Sequence, residues 1–235
     1  DATISGLTVG KGAGSVSNNT AVGASALASN SSATLNTAIG SNALTATTTG
    51  QSNTAVGASV LASNTTARDN SGLGDRALFT NSTGAANSAF GAGAMYGNTT
   101  GSNNSAFGKD ALQANTTASN NTAVGYQAMY TNQTGSGSTA LGYQAFYAQT
   151  SGYGVAIGAY AATANTTGAE IVAVGLRALQ SNTTGSNNTA VGDNALNSNT
   201  TASNNTAVGY QALYSATACS ANTAFGYQAG YTHNA

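Results

Sequence analysis

Apolar and small residues return along this chain at a spacing of 17, and polar residues fill the intervals between them. The clearest marker is a glycine that directly follows an apolar residue, as in TAVG. It recurs fourteen times, at Gly10, Gly23, Gly40, Gly57, Gly74, Gly91, Gly108, Gly125, Gly142, Gly158, Gly175, Gly192, Gly209 and Gly226. The spacings are 13, then seven of 17, one of 16 and four of 17. A repeat this regular is typical of a solenoid, in which each unit packs on its neighbours.

Other positions of the repeat are just as regular. The residue four places after the glycine is mostly Leu or another apolar residue, and the one before it is Ala except at Val60. Three places before the glycine stands Thr or Ser, replaced by Val at Val155 and Val172. Because side chains alternate across a strand, we expect this column and the apolar residue before the glycine to face the core. The alanine between them would then face outward and form an interface between chains, through Ala21, Ala38, Ala55, Ala89, Ala123, Ala190 and Ala207.

The remainder of each repeat, such as SNTTGSN at 181–187, consists of residues that favour turns. Gly, Asn and Thr are poor helix formers, whereas β-branched residues at period two between turns indicate short strands. The sequence therefore predicts an all-β fold, a parallel β-solenoid (β-roll) of about fourteen 17-residue coils. We expect one repeat domain over residues 1–235.

Charged residues make up only 5% of the chain and the net charge is −1. Identical positions of successive coils stack about 4.8 Å apart, where like charges repel, so neutrality suits the fold. The chain offers no basic surface for nucleic acid and no long apolar run for membrane insertion. His233 is the one histidine and the acidic residues are scattered, so we expect no catalytic site, no metal and no cofactor.

The GYQA repeats carry the most suggestive polar chemistry. Tyrosine beside an amide can bind a sugar or anchor a protein partner, although a tyrosine ladder that braces neighbouring coils is the interpretation we favour. The candidate residues are Tyr126, Gln127, Tyr130, Tyr143, Gln144, Tyr147, Tyr210, Gln211, Tyr214, Tyr227, Gln228 and Tyr231.

Two further repeated patterns can be interpreted as functional or as purely structural. Asn-x-Ser/Thr sequons are glycosylation acceptors in a secretory context, for example at Asn64, Asn98, Asn115, Asn165, Asn182 and Asn199, but turn composition alone also produces them. A threonine column raises ice binding, which would need it to face outward. Its members are Thr20, Thr37, Thr54, Thr122, Thr139, Thr189, Thr206 and Thr223.

The NTAVG…A core, and YGVAIGAYA at 153–161 most closely, resembles the head-domain repeats of trimeric autotransporter adhesins. The repeats also resemble those of phage tail-fibre and environmental surface proteins. This resemblance implies a parallel β-roll, often with three chains side by side, displayed outside the cell for attachment. The family's head repeats are mostly shorter, and its heptad stalk and membrane anchor are not found in this sequence.

These observations lead to one expectation and two alternatives. We expect a non-enzymatic, extracellular, multimeric fibre protein that serves as an adhesive or structural shaft or head, on a cell surface or a virion. Its partner would be itself, as a homotrimer or a head-to-tail polymer, with a surface glycan or protein receptor as a possible second partner. The alternatives are a self-assembling head-to-tail filament subunit and an ice-binding solenoid.

Overall fold

The computed structural model describes residues 2–4 and 7–232 and contains two compact units, Asp1–Ser119 and Asn120–Ala235, which we describe separately. Apart from a 3-10 turn at Ala13–Ser15, the described residues form short strands and turns. Parallel strands about 17 residues apart confirm the predicted parallel β-solenoid. That residues 1–235 behave as a single domain stays a prediction.

Among its described residues, the first unit holds eight strands. They are β1 (Ala2–Ile4), β2 (Leu7–Gly10), β3 (Thr20–Val22), β4 (Thr37–Ile39), β5 (Thr54–Val56), β6 (Ser71–Leu73), β7 (Ser88–Phe90) and β8 (Ser105–Phe107). From β3 to β8 the strands are parallel, and each residue pairs with the one 17 places on, as Thr37 does with Thr54.

The second unit holds seven parallel strands. They are β9 (Thr122–Val124), β10 (Thr139–Leu141), β11 (Gly154–Ile157), β12 (Ile171–Val174), β13 (Thr189–Val191), β14 (Thr206–Val208) and β15 (Thr223–Phe225). In the one 16-residue step, Thr139 pairs with Val155 and the strand ladder continues in register. The missing residue therefore belongs to a turn, where a solenoid tolerates a deletion.

The segment that precedes Gly10 differs from the coil predicted there. Strand β2 pairs antiparallel with both β1 and β3, with Val9 opposite Val22, so the regular parallel coils begin at β3. The spacing of 13 residues from Gly10 to Gly23 explains the difference, since it is too short for the chain to complete a 17-residue coil. The free edge of β3 is therefore occupied by an antiparallel strand.

The direction of the strand side chains is the reverse of the prediction. The alanines proposed as an interface between chains face the core of their own chain and are almost fully buried, namely Ala21, Ala38, Ala55, Ala89, Ala123, Ala190 and Ala207. The Thr/Ser column and the apolar residue before the glycine instead face outward. The physical reason is the width of the core, because two alanine columns lie opposite each other and leave no room there for valine or threonine.

One pair of substitutions demonstrates how closely these columns face each other. Val60 is the only non-alanine residue in its column, and Gly72 is the only glycine in the opposite column. A methyl group on Gly72 would lie 2.5 Å from Cγ1 of Val60. The two exceptions therefore compensate each other in volume, as close packing requires.

Buried leucines and asparagines complete the core. The Leu, Met and Phe side chains four places after the coil glycine are buried, and Phe146 is the largest of them. Asparagine columns satisfy the main chain of the turns: Asn53 Nδ2 donates to Ala67 O at 2.9 Å, and Asn36 Oδ1 accepts from Asn53 N at 2.9 Å. Neutral amides can stack in this way without the repulsion that charged groups would meet.

The coil glycine is required by its backbone and its neighbours. Gly74 has φ of 121°, and a Cβ there would lie 2.7 Å from the carbonyl carbon of Gly91 in the next coil. Side chains rarely adopt this conformation and the backbone cannot move aside. The repeated glycine of the sequence therefore allows successive coils to approach each other.

Candidate functional site

The candidate tyrosines and glutamines lie on one surface of the coils, which we call the turn face. We define it as the residues one, two and five places after each coil glycine. In the second unit Gln144 Nε2 donates to Gln127 Oε1 at 2.9 Å, and the rings of Tyr126 and Tyr143 stack with centroids 5.4 Å apart. The structure therefore brings these residues together between neighbouring coils.

The same contacts recur in the other GYQA coils. Tyr130 stacks on Tyr147 at 5.2 Å, and the later coils repeat the pattern with Tyr210–Tyr227 at 5.4 Å, Tyr214–Tyr231 at 5.1 Å and Gln211–Gln228 at 2.8 Å. These ladders brace neighbouring coils, as the structural interpretation of the sequence expects. Binding of a sugar or protein by the same residues stays a prediction.

Two tyrosines of the second unit have altered acidity. Partial burial, together with the neighbouring phenols of Tyr160 and Tyr126, raises the pKa of Tyr143. The Tyr153 hydroxyl donates to Glu170 Oε1 at 2.8 Å, and this hydrogen bond and the carboxylate charge raise the pKa of Tyr153. Both phenols therefore stay neutral to a higher pH than an ordinary tyrosine.

The turn face of the first unit contains a cavity that the sequence analysis missed. It has a volume of about 330 Å³ and lies where the coil with Ala92 and Gly93 separates two coils that carry charges. Its polar lining is Asp75, Arg76, Tyr96, Lys109, Asp110 and Gln113. Comparison of the turn-face columns at the 17-residue spacing would have found it, because a small pair stands between two charged pairs.

The charges around this cavity pair within each coil. Arg76 Nε lies 3.9 Å from Asp75 Oδ2, and Lys109 Nζ lies 3.8 Å from Asp110 Oδ2. Most of these side chains are well exposed, so each pair contributes about 0–1 kcal/mol to stability. The pairs therefore add little to the stability of the fold.

The sequon asparagines are not accessible in the folded chain. Each of Asn64, Asn98, Asn115, Asn165, Asn182 and Asn199 is fully buried. Their amides hold the coils together: Asn98 Nδ2 donates to Asn81 Oδ1 at 2.6 Å, and Asn182 Nδ2 donates to Asn165 Oδ1 at 2.8 Å. The glycosylation prediction at these positions is wrong, because a glycan on Nδ2 would remove these hydrogen bonds and could not fit in the core.

The outward residues of the strands form a second surface, which we call the outer stripe. We define it as the residues one and three places before each coil glycine. From β3 onward, the residues directly before the coil glycine are Val22, Ile39, Val56, Leu73, Phe90 and Phe107 in the first unit and Val124, Leu141, Ile157, Val174, Val191, Val208 and Phe225 in the second. Leu73 and Leu141 are 48% and 46% exposed.

Threonine and serine fill the other column of the outer stripe, except at Val155 and Val172. Thr20, Thr54, Thr122 and Thr223 are exposed, and Thr37, Thr139, Thr189 and Thr206 are half-buried. This outward direction contradicts the inward one that the sequence analysis used against ice binding. The column carries no charge in either unit.

The structure also bears on metal binding and on membrane insertion. Within residues 2–4 and 7–232, no three His, Cys, Asp or Glu side chains are grouped so that they could hold a metal ion. His233 lies outside the described residues. In the described part of the chain no helix has the length and apolarity needed to cross a membrane.

Comparisons with known proteins give no further information. No protein-family model, no curated protein and no solved structure matches this chain.

Proposed function

We propose that this protein is a non-enzymatic component of an extracellular fibre, in which copies of the chain associate side by side through the outer stripe. The single observation that carries the proposal is the exposure of this stripe, an unbroken series of apolar side chains on parallel strands. In β7 and β8, Phe90 and Phe107 stack with centroids 4.9 Å apart and remain 37% and 41% exposed. Contiguous exposed apolar surface of this kind marks interaction sites.

A second copy of the same chain is the partner that fits this stripe. The apolar residues recur at the coil spacing, so a second stripe presents side chains with the same repeat and can pack along its length. The absence of charge from the stripe means that two copies bring no like charges together. The resemblance to adhesin head repeats supports three copies and an adhesive role outside the cell.

The molar mass of the purified chain in solution tests the proposal. We expect a species three times the chain mass of 22.8 kDa in multi-angle light scattering. Leu73→Arg and Leu141→Arg place charges in the stripe and should yield monomers. Ala58→Arg, on the exposed turn face, is the matched control and should leave the assembly intact. A wild-type chain that is monomeric at all concentrations would refute side-by-side assembly.

A head-to-tail filament remains an alternative, but the structure makes it less favourable at the β3 end of the parallel coils. The outer edge of β3 already pairs with β2, so a coil of another chain cannot continue the parallel strand ladder on β3. Electron microscopy separates the two modes of assembly. Discrete short rods support the side-by-side fibre, whereas long filaments with an axial repeat near one chain length support the alternative.

Ice binding is a second candidate function, favoured by the outward threonine column. The stripe is too irregular to match the surface of ice, however. Leu73, Phe90 and Phe107 stand where other coils have the smaller valine, and serine replaces threonine in three consecutive strands, β6 to β8. A protein partner can adapt to such variation in size, whereas a crystal surface cannot. A measurable gap between freezing and melting temperatures would establish ice binding, and its absence would exclude it.

A further inference from the structure

We infer that the cavity on the turn face of the first unit binds a neutral hexose, free or as a unit of a larger glycan. This goes beyond the proposed side-by-side assembly, because the cavity lies on the turn face and the proposed interface is the outer stripe.

The cavity exists because one coil has small residues where its neighbours have long ones. Ala92 and Gly93 occupy the positions that hold a Tyr–Gln pair in the GYQA coils. The coils on either side present Asp75–Arg76 and Lys109–Asp110, and their side chains border the resulting space of about 330 Å³. This volume lies within the range of small-molecule sites, about 300–1,000 Å³.

Opposite charges alternate around the cavity. Asp75 shares a turn-face column with Lys109, and Arg76 shares the next column with Asp110. Each acid also has a base beside it in its own coil, at 3.9 Å and 3.8 Å. The four formal charges sum to zero, so the cavity attracts neither an anion nor a cation as a whole.

A polyhydroxylated neutral ligand matches this arrangement. Each hydroxyl group can donate to a carboxylate of Asp75 or Asp110 and accept from the guanidinium of Arg76 or the ammonium of Lys109. Hydrogen bonds to charged groups are the stronger kind, and here donors and acceptors lie on both sides of the ligand.

The remaining lining residues add the other features of sugar recognition. Tyr96 supplies an aromatic ring, and its stacking on Phe79 with centroids 5.2 Å apart fixes its position. Apolar C–H groups of a pyranose can pack on such a ring. Gln113 supplies an amide that both donates and accepts. An exposed site for about twelve ligand heavy atoms corresponds to a dissociation constant of about 1 mM.

Saturation-transfer-difference NMR on the full chain tests the inference with glucose, galactose, mannose and N-acetylglucosamine as probes. We expect transfer to at least one of them and a dissociation constant near the value above. Choline and sialic acid serve as cationic and anionic comparison probes and should show none. No transfer to any neutral sugar at ten times that concentration, or transfer to the comparison probes alone, would overturn the inference.

A filled-cavity variant locates the binding. Ala92→Tyr/Gly93→Gln restores the Tyr–Gln pair of other coils, and Gln127 already occupies the same position with φ of 52°. A Cβ at Gly93 would meet Asp110 Oδ1, so the variant fills the space and also displaces this carboxylate. This variant should weaken sugar binding by at least about tenfold. The control, Ser41→Tyr/Asn42→Gln, makes the same change at exposed positions outside the cavity and should bind as the wild type does.

Two outcomes of this comparison speak against the cavity. Binding that survives Ala92→Tyr/Gly93→Gln, or that is lost equally in the control, means that the sugar binds elsewhere. Circular dichroism establishes that each variant is folded. Asp75→Asn/Asp110→Asn is a second variant that removes both negative charges and one acceptor oxygen from each side chain without filling the space, and it should also weaken sugar binding. Light scattering on the same samples keeps a failure of binding distinct from a failure of assembly.

Discussion

The turn face carries ladders of identical side chains in the second unit and separated charged pairs in the first, although both units are built from the same type of coil. In the second unit, Tyr126–Gln127 and Tyr143–Gln144 occupy successive coils, and identical side chains lie directly against each other. In the first unit, charged pairs occupy alternate coils and a small pair separates them, which leaves a cavity. The backbone pairing is the same, because strands in both regions are parallel and 17 residues apart.

The difference shows what a column of a solenoid permits. Aromatic rings and amides gain contacts when they are repeated every coil, so these positions can fill without a gap. Like charges cannot repeat at about 4.8 Å without repulsion, so a charged column must change sign or be interrupted, and the column that Asp75 shares with Lys109 does both. A ladder therefore closes the surface, whereas alternating charges open it and provide a place for a ligand.

The largest expected effect concerns the core beneath the charged coils. Gly72→Ala should lower the free energy of unfolding by about 1–3 kcal/mol, because the new methyl group overlaps Val60. Val60→Ala in the same chain should restore most of this loss, since it creates the Ala–Ala pair found in other coils. Denaturant unfolding with a double-mutant cycle measures both effects.

The matched change in the second unit is Ala140→Gly, which removes a fully buried methyl group from the same column. It should also destabilise, but no substitution opposite it is needed to explain the loss. Additive effects of Gly72→Ala and Val60→Ala would contradict the facing arrangement of the two alanine columns. The two regions would then differ in their cores and not only on their turn faces.

The second prediction places like charges in a ladder position. Gln127→Glu/Gln144→Glu puts two carboxylates where amides now lie 2.9 Å apart. After allowance for solvent screening, the repulsion should cost about 1 kcal/mol at neutral pH. Thermal unfolding at neutral pH measures it against Gln127→Glu/Gln144→Lys, which places opposite charges at the same two positions.

The pH dependence of this double variant provides an internal check. Repulsion raises the pKa of the introduced carboxyl groups above their unfolded value of about 4.3, so the loss should disappear on acidification below that value. A variant that is equally unstable at low pH would have lost the amide contact only. Like-charge repulsion would then not be what limits charged residues in a turn-face column.

Much of this fold could be predicted from the sequence, and the exceptions have physical causes. The 17-residue spacing established the parallel coils, because every coil places the same residue at the same position. The direction of the strand side chains could not be established in this way, since Thr-Ala-Val alternates equally well with either face inward. Only the narrow core, visible in the exchange between Val60 and Gly72, requires alanine to face inward.

The candidate site also has parts that the sequence predicts and parts that it does not. The tyrosine and glutamine ladders could be predicted because identical residues recur in register. The cavity exists because Ala92 and Gly93 have no long side chain to fill it. Such small residues carry no reactive group, so a sequence motif based on reactive groups does not include them. Asn98 and Asn182 both match the glycosylation sequon, but the sequon carries no information about burial. Both amides are buried and hydrogen-bonded in ladders between coils.

The smallest expected effect separates a phenol beside a charge from a phenol in a ladder. Glu170→Gln should lower the pKa of Tyr153, because it removes the carboxylate that disfavours the tyrosinate, while Tyr143 should titrate as before. Ultraviolet titration of each chain against its own Tyr153→Phe variant isolates this phenol. A raised folded pKa means that any stabilisation by Tyr153 is complete below the ordinary value of about 10 and is lost as the pH rises through the folded value. Glu170→Gln should move that loss to lower pH, and an unchanged Tyr153 titration would show that the surroundings of the ring, rather than the carboxylate, control its acidity.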